Sequence, residues 1–224
     1  MISIAIDGPS GAGKSSISKA VAHKNGYIYI DTGAMYRTLA HKAIGLGIDI
    51  NNDEQSIIQM LQNTTVCIKH SDDGQHMICD GNDVTAYIRT PEVSMGASDI
   101  AKIPFVRNWL LELQRNFAKE NNCIMDGRDI GTVVLPNADV KIFLTASPEA
   151  RAKRRFAELV EKGSDITFEE VLLDMQKRDQ NDKSRACAPL KKADDAIEVD
   201  TSTLSFEESV SEIERVIALT VKNK

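Results

Sequence analysis

None of the four cysteines, Cys67, Cys79, Cys123 and Cys187, stands in a C-x-x-C pair, so neither a disulfide framework nor the usual zinc spacing is present. Cys67, Cys79 and Cys123 have apolar neighbours, as small core side chains do. No run of about 18 apolar residues exists to cross a bilayer, and the amino terminus enters a strand pattern without the basic and apolar regions of a secretory signal. The expectation is a cytoplasmic protein with no membrane partner. Basic charge is also in deficit: 33 acidic against 27 basic residues leave a net charge of −6, which argues against a broad nucleic-acid footprint. His23, His41, His70 and His76 show no pairing with a carboxylate or cysteine that would mark a general base or metal site. The one tryptophan, Trp109, falls in a predicted helix Phe105–Ala118 and reads as core packing or as an aromatic beside a base pocket.

What is present begins at the first strand. The apolar run Ile2-Ser3-Ile4-Ala5-Ile6-Asp7 leads into Gly8-Pro9-Ser10-Gly11-Ala12-Gly13-Lys14-Ser15, the full glycine-loop and Lys-Ser pattern of a phosphate cradle. Glycines let successive backbone N–H groups point at phosphate oxygens, Lys14 adds a mobile positive charge, and the Ser15 hydroxyl can ligand magnesium. Ser16 follows in the first helical turn. A nucleoside triphosphate with Mg2+ is the expected ligand. A guanine-reading Asn-Lys-x-Asp segment is absent, since Asn181-Asp182-Lys183-Ser184 has the wrong order, and a GTPase is therefore disfavoured.

Short runs rich in Ile and Val recur at Ile2–Asp7, Tyr27–Asp31, Cys123–Asp126, Val140–Thr145 and Ala196–Asp200, with helix-period segments between most of them. That pattern predicts an α/β fold: a five-stranded parallel sheet with flanking helices in one domain over 1–224. Thr90-Pro91, Thr167-Phe168-Glu169-Glu170 and Ser205-Phe206-Glu207-Glu208 mark three helix starts. Between Asn63 and Arg89, turn chemistry every eight to ten residues separates Val66–His70, Gln75–Cys79 and Val84–Ile88, with a turn at Ser71-Asp72-Asp73-Gly74. These predict a small antiparallel β insertion over residues 63–90.

Polar segments close the predicted strands, where open α/β sheets place their ligands. In Asp31-Thr32-Gly33-Ala34-Met35-Tyr36-Arg37, Arg37 either forks two oxygens of a second phosphate or is an exposed helix arginine behind an Asp31 cap. Asp126-Gly127-Arg128-Asp129-Ile130-Gly131 ends the third main strand; Asp126 is placed to hold magnesium through water, with Arg128 and Asp129 toward an acceptor. Arg151, Arg154 and Arg155 share one helix face, and Arg178, Asp182 and Arg185 another, with the polar Glu161–Asp165 between them as a short hinged lid in an arginine-rich region 151–185.

With these segments assembled, the chain resembles the bacterial cytidylate kinases, of the nucleoside monophosphate kinase group. The likeness runs in order through Asp7–Lys14, Asp31–Arg37, Asp126–Val134, and Arg178-Asp179 to Arg185–Leu190, nearly the whole chain. It implies the P-loop kinase fold with an enlarged acceptor-binding insertion and a short lid. It implies Thr32 and Arg37 at the acceptor, with Arg37 on its phosphate, and Ser98, Arg107, Arg128, Asp129, Arg178, Asp182 and Arg185 around the nucleotide. Asp182 and Ser98 would read the ribose, and Arg107 and Asp129 the cytosine; Thr32 replaces the Ser of some members and keeps the hydroxyl. Residues Gly8–Ser16 and Arg154 would hold ATP. Lys14, Arg128, Arg178 and Arg185 would carry catalysis by charge alone, because an acceptor phosphate needs no strong base. The implied reaction is ATP with CMP or dCMP giving ADP with CDP or dCDP, in a monomer. A kinase for UMP, dephospho-coenzyme A or shikimate, and an ATP-hydrolysing switch, remain alternatives.

Overall fold

The first strand, β1 (Ser3–Asp7), is buried along its length from Ile4 onward, as a central strand covered on both faces must be. The computed structural model describes residues 1–71, 74–161 and 163–222. After β1 come α1 (Lys14–Asn25), β2 (Ile28–Asp31), α2 (Thr32–Gly45), α3 (Glu54–Gln62), β3 (Val66–Ser71), β4 (Gly74–Cys79) and β5 (Asn82–Asp83). Then follow α4 (Pro91–Ile100), α5 (Pro104–Glu120), β6 (Cys123–Gly127) and a single wide helical turn at Ile130–Val134. The chain ends with β7 (Val140–Thr145), α6 (Pro148–Glu161), α7 (Phe168–Ser184), β8 (Ile197–Asp200) and α8 (Phe206–Lys222). It divides into two compact units, Met1–Tyr29 with Ala118–Lys224, and Ile30–Phe117.

The main sheet is five-stranded and parallel in the order β2-β6-β1-β7-β8, and all five strands lie within two residues of their predicted positions. Register matters for the site. Asp7 pairs with Gly127 of β6 and with Phe143 of β7, so the loops after β1 and β6 leave the sheet at one level. In the first unit, Ile4, Ile6, Ile124 and Ile142 from the strands pack with Ile17 and Val21 of α1 and Val210, Ile213 and Val216 of α8. Ser205 accepts from the Glu208 N–H while the Glu208 carboxylate accepts from the Ser205 N–H, the reciprocal cap expected at the start of α8. Thr167 and Glu170 do the same at α7.

The second unit gathers Met35, Leu39, Ile57, Leu61, Met77, Ile88, Ile100, Val106 and Leu110 into its own core, with Trp109 packed against it as one of the two predicted roles required. Thr90 caps α4 by accepting from the Val93 N–H, with Pro91 in the first turn.

Three expectations are corrected. Val84–Ile88 is a run of turns, not a strand, because Val84 and Ile88, four residues apart, both point into the core while Ala86 and Tyr87 face solvent; the third strand is the shorter Asn82–Asp83, antiparallel to β4. Cys67 is exposed, since alternation along β3 turns it away from the core side that Val66 occupies. His76 does meet a carboxylate: its Nδ1 lies 2.7 Å from Asp83 Oδ2, brought there by the β4–β5 pairing. The predicted Ser71–Gly74 turn includes Asp72 and Asp73, and the Glu161–Asp165 segment includes Lys162, all three outside the described residues.

Candidate active site

In the first unit the loop after β1 fits only glycine at its tightest point. A Cβ on Gly8 would sit 1.9 Å from the Leu144 carbonyl oxygen, and one on Gly11, at φ +74°, would sit 2.6 Å from Met175 Cε. α1 starts without any side-chain cap, leaving its first N–H groups to an incoming anion. Lys14 opens that helix, is 6% exposed, and donates from Nζ to the Pro9 carbonyl at 2.7 Å. Burial, joined by the charges of Arg128 and Arg178, pushes its ammonium down from 10.5 to about 7, against the pull of Asp126 and Asp182.

Asp126 lies buried at the end of β6, accepting from Ser15 Oγ at 2.8 Å and from the Tyr29 hydroxyl at 3.0 Å. Arg128 donates from Nε to Asp182 Oδ2 at 2.7 Å and from Nη1 to the Gly127 carbonyl at 3.2 Å. Burial works against the Arg128 charge, but Asp182, Asp126 and Asp179 together raise its pKa. Burial also works against the Asp182 carboxylate, which Arg128, Arg185 and Arg178 hold below the usual range. Arg185, its side chain 5% exposed, reaches to 4.0 Å of Asp182 Oδ1. Lys14, Asp126, Arg128, Arg178, Asp182 and Arg185 thus form one electrostatic group, drawn from α1, the end of β6 and the loop after it, and α7 with its C-terminal cap. Asp129, 5% exposed, lies beside it.

Sequence reasoning missed Asp7. Its carboxylate accepts from the Ile130 N–H at 2.8 Å and the Gly131 N–H at 2.7 Å, fixing the turn that follows Arg128 and Asp129. Burial pushes its pKa up to about 6 in spite of those bonds. The only sequence signal was an acid at a strand end, 123 residues from its partner.

The predicted arginine face of α6 divides. Arg155 pairs with exposed Glu158, Arg154 turns to Thr201, donating to its hydroxyl at 3.2 Å and to its carbonyl, and Arg151 is buried. Thr201 Oγ1 in turn lies 3.4 Å from the Ala12 carbonyl, tying Arg154 to the phosphate loop. Beside them opens a cavity of about 650 Å³ lined by Ser147, Glu149, Lys153, Arg154, Ser202 and Leu204. Ser16 is exposed on the first turn of α1.

The second unit carries its own polar centre. Asp31 caps α2 through the Ala34 N–H at 2.8 Å and receives Arg37 Nη2 at 2.8 Å and Arg89 Nη2 at 3.2 Å on its other oxygen. Burial would raise the Asp31 pKa; the two guanidinium groups and the Ala34 N–H hold it below the usual carboxylate value. Of the reading that made Arg37 an exposed arginine behind an Asp31 cap, the cap holds, but Arg37 is not exposed. Arg89, 58 residues from Asp31, gave no sequence signal. Arg37 Nε and Ser98 Oγ are buried with no hydrogen-bond partner among the described residues, a condition that an incoming ligand relieves. Thr32 is 4% exposed at the first turn of α2, and Arg107, 6% exposed, lies with its guanidinium 5.8 Å from the centre of the Tyr36 ring.

Residues 4–219 match the family described as Cytidylate kinase. A cytidylate kinase of Caldicellulosiruptor bescii is 52% identical over 100% of this chain and 98% of its own. Another, of a Geobacillus species, is 50% identical over 96% of both chains. A crystal structure of an uncharacterized protein from Eubacterium ventriosum shares the fold, with a TM-score of 0.53 at 12% identity, covering 97% of this chain and 99% of that one.

Proposed function

The chain belongs to the cytidylate kinase family, ATP-dependent phosphotransferases acting on a nucleoside monophosphate, and from that premise we propose how its residues divide the work of passing the γ-phosphoryl group of ATP to CMP. The observation that carries the division is Lys14. An ammonium buried beside Arg128 and Arg178 and held near 7 is poorly solvated until an anion arrives.

The backbone of Gly8–Ser15, with Ser16 and the Lys14 ammonium, holds the β- and γ-phosphates of ATP. The cavity beside Arg154 takes the donor nucleoside, supported by the Arg154–Thr201–Ala12 connection to the same loop. Ser15 and Asp126 offer a hydroxyl and a carboxylate oxygen 2.8 Å apart, a hard-oxygen pair suited to magnesium that completes its shell with phosphate and water. When bound, that ion would neutralise phosphate charge and orient the donor. Among the described residues no cluster of three His, Cys, Asp or Glu could hold a metal, and a magnesium carried largely by phosphate and water needs none.

For CMP, Arg37 takes the phosphate and Thr32 a neighbouring contact, while Ser98 and Asp182 read the ribose and Arg107 and Asp129 the cytosine. The unmet Arg37 Nε and Ser98 Oγ support two of these roles. Arg128, Arg178 and Arg185 neutralise charge on the transferring group. The acceptor oxygen is already anionic at neutral pH, so no base is needed and the arrangement acts by alignment and charge. The strands of 63–90 serve the acceptor, and the connection from Glu161 to Thr167 closes as a lid that excludes water. dCMP is the second acceptor we propose, and the working form is a cytoplasmic monomer.

The test is ADP release from magnesium-ATP with and without each nucleoside monophosphate. Release should depend on CMP or dCMP, with the matching diphosphate formed in equal amount. Release indifferent to any acceptor would favour an ATP-driven switch, and a clear preference for UMP would redirect the acceptor assignment.

Lys14 also makes ATP binding pH-dependent. The bound triphosphate favours the ammonium, so binding takes up a proton wherever free Lys14 is neutral. Affinity should weaken by about tenfold per pH unit above 7, measured by calorimetry between pH 7 and 9 with proton uptake read in buffers of different ionisation heat. In the free protein the sign reverses: between 7 and 10.5 the unfolded chain holds more protons on this lysine, so that contribution to stability rises with pH. A pH-independent affinity would remove Lys14 from the phosphate site.

A further inference from the structure

Arg151 does not behave as the phosphate-binding arginine that its sequence neighbours suggest. It is 3% exposed, and its guanidinium meets three different segments. Nε donates to the Ala146 carbonyl at 2.9 Å, at the exit of β7; Nη1 donates to the Ser10 carbonyl at 2.9 Å, in the phosphate loop; Nη2 pairs with Asp179 Oδ2 at 2.7 Å, on α7. A buried guanidinium with all of its reach engaged is a poor ligand for a passing substrate but a good rigid link, because its planar fork fixes direction as well as distance. The crest of the phosphate loop is pressed against the same two helices: a Cβ on Gly11 would lie 3.3 Å from Arg151 Cβ and 2.6 Å from Met175 Cε.

Asp179 sits next to Arg178 and one helical turn before Asp182, with Arg185 three residues further on. Whatever fixes Asp179 fixes the azimuth of α7, which carries Arg178 and Asp182 and ends at the cap residue Arg185. We propose that the Arg151–Asp179 pair is a positioning device that locks the donor loop to the arginine-bearing face of α7, so that the anchored phosphates and the charges acting on them are set by one link. Arg151 touches neither nucleotide; it acts through Ser10 on one side and Asp179 on the other. The inference rests on the reading that the loop holds ATP phosphates and that α7 supplies transfer-stabilising cations.

Four variants of the full chain test it: Arg151→Met, Arg151→Lys, Asp179→Asn, and Arg151→Met with Asp179→Asn. Each is assayed with ATP and CMP alongside thermal unfolding. Misplaced α7 charges harm the transition state more than the bound ground state, so kcat should fall by about tenfold or more in Arg151→Met and in Asp179→Asn, with the KM values for ATP and CMP moving less than about threefold. The double variant should be no slower than the worse single one, since both remove the same link. Arg151→Lys, which keeps charge but cannot span three partners, should resemble Arg151→Met. If Arg151→Met does not fold, Arg151→Lys and Asp179→Asn decide by the same criterion. Lower melting temperature with kcat within twofold of the parent would reduce the pair to a structural salt bridge and overturn the proposal, as would single effects that multiply in the double variant. A parent enzyme that fails to phosphorylate CMP would instead bring down the underlying reading, so the two failures are distinguishable.

Discussion

Lys14→Met lowers turnover by about three decades while the protein remains folded. The two halves of that expectation have one cause. The Lys14 ammonium is buried among Arg128, Arg178, Asp126 and Asp182, and burial has already pulled its pKa to about 7. A charge so poorly solvated in the free protein contributes little to the fold, so methionine, which keeps most of the aliphatic stem, should leave the melting temperature within a few degrees of the parent. In the proposed ternary complex the same position would face phosphate oxygens whose charge shifts during transfer, and in a site closed to water a fixed cation there would act with little screening. Turnover and thermal unfolding of the same preparation check both halves. Unchanged turnover would make the phosphate-loop assignment untenable, and collapse of the fold would mean that Lys14 is structural.

Arg185→Ala, and in parallel Arg178→Ala, costs on the order of 3 kcal/mol of transition-state stabilisation, two to three decades in kcat. The fold should tolerate the loss. Asp182 keeps its shorter partner, Arg128 Nε at 2.7 Å, whereas Arg185 stands at 4.0 Å. What disappears is positive charge beside Asp182, and for Arg178 also beside Lys14, and with it the proposed neutralisation of the transferring group. Steady-state kinetics with CMP and ATP, together with a melting curve, separate this from unfolding. Near-normal kcat in either variant removes that arginine from the catalytic set.

The parts of this site that could be read from the sequence are those written in one contiguous stretch. The glycine loop, the Lys14-Ser15 pair and the reciprocal caps at Thr167 and Ser205 depend on neighbours within a few residues, and backbone geometry alone makes those spacings meaningful. The five main strands were legible for the same reason, as short β-branched runs with no competing period. Illegible were the contacts made by topology. Asp7 meets Ile130 and Gly131 only because β1 and β6 are parallel and in register, and Arg89 meets Asp31 only through the packing of the second unit. The arginine run on α6 was misread as one cationic face because helical spacing gives direction but not burial; Arg151, one turn before the half-buried Arg155, is sunk against the phosphate loop. Val84–Ile88 failed as a strand because five apolar-rich residues fit two periods equally, and core contacts at positions four apart selected the turn.

In the proposed division of work, Lys14, Arg128, Arg178 and Arg185 are a preformed cationic seat for phosphate. This assignment is tested most directly by a crystal structure of the protein with magnesium, ADP and CMP bound. Lys14 Nζ and the three guanidinium groups should then lie within hydrogen-bonding distance of phosphate oxygens of one or other nucleotide. Nucleotides bound with those guanidinium groups turned to solvent, or bound away from Gly8–Ser15, would contradict it.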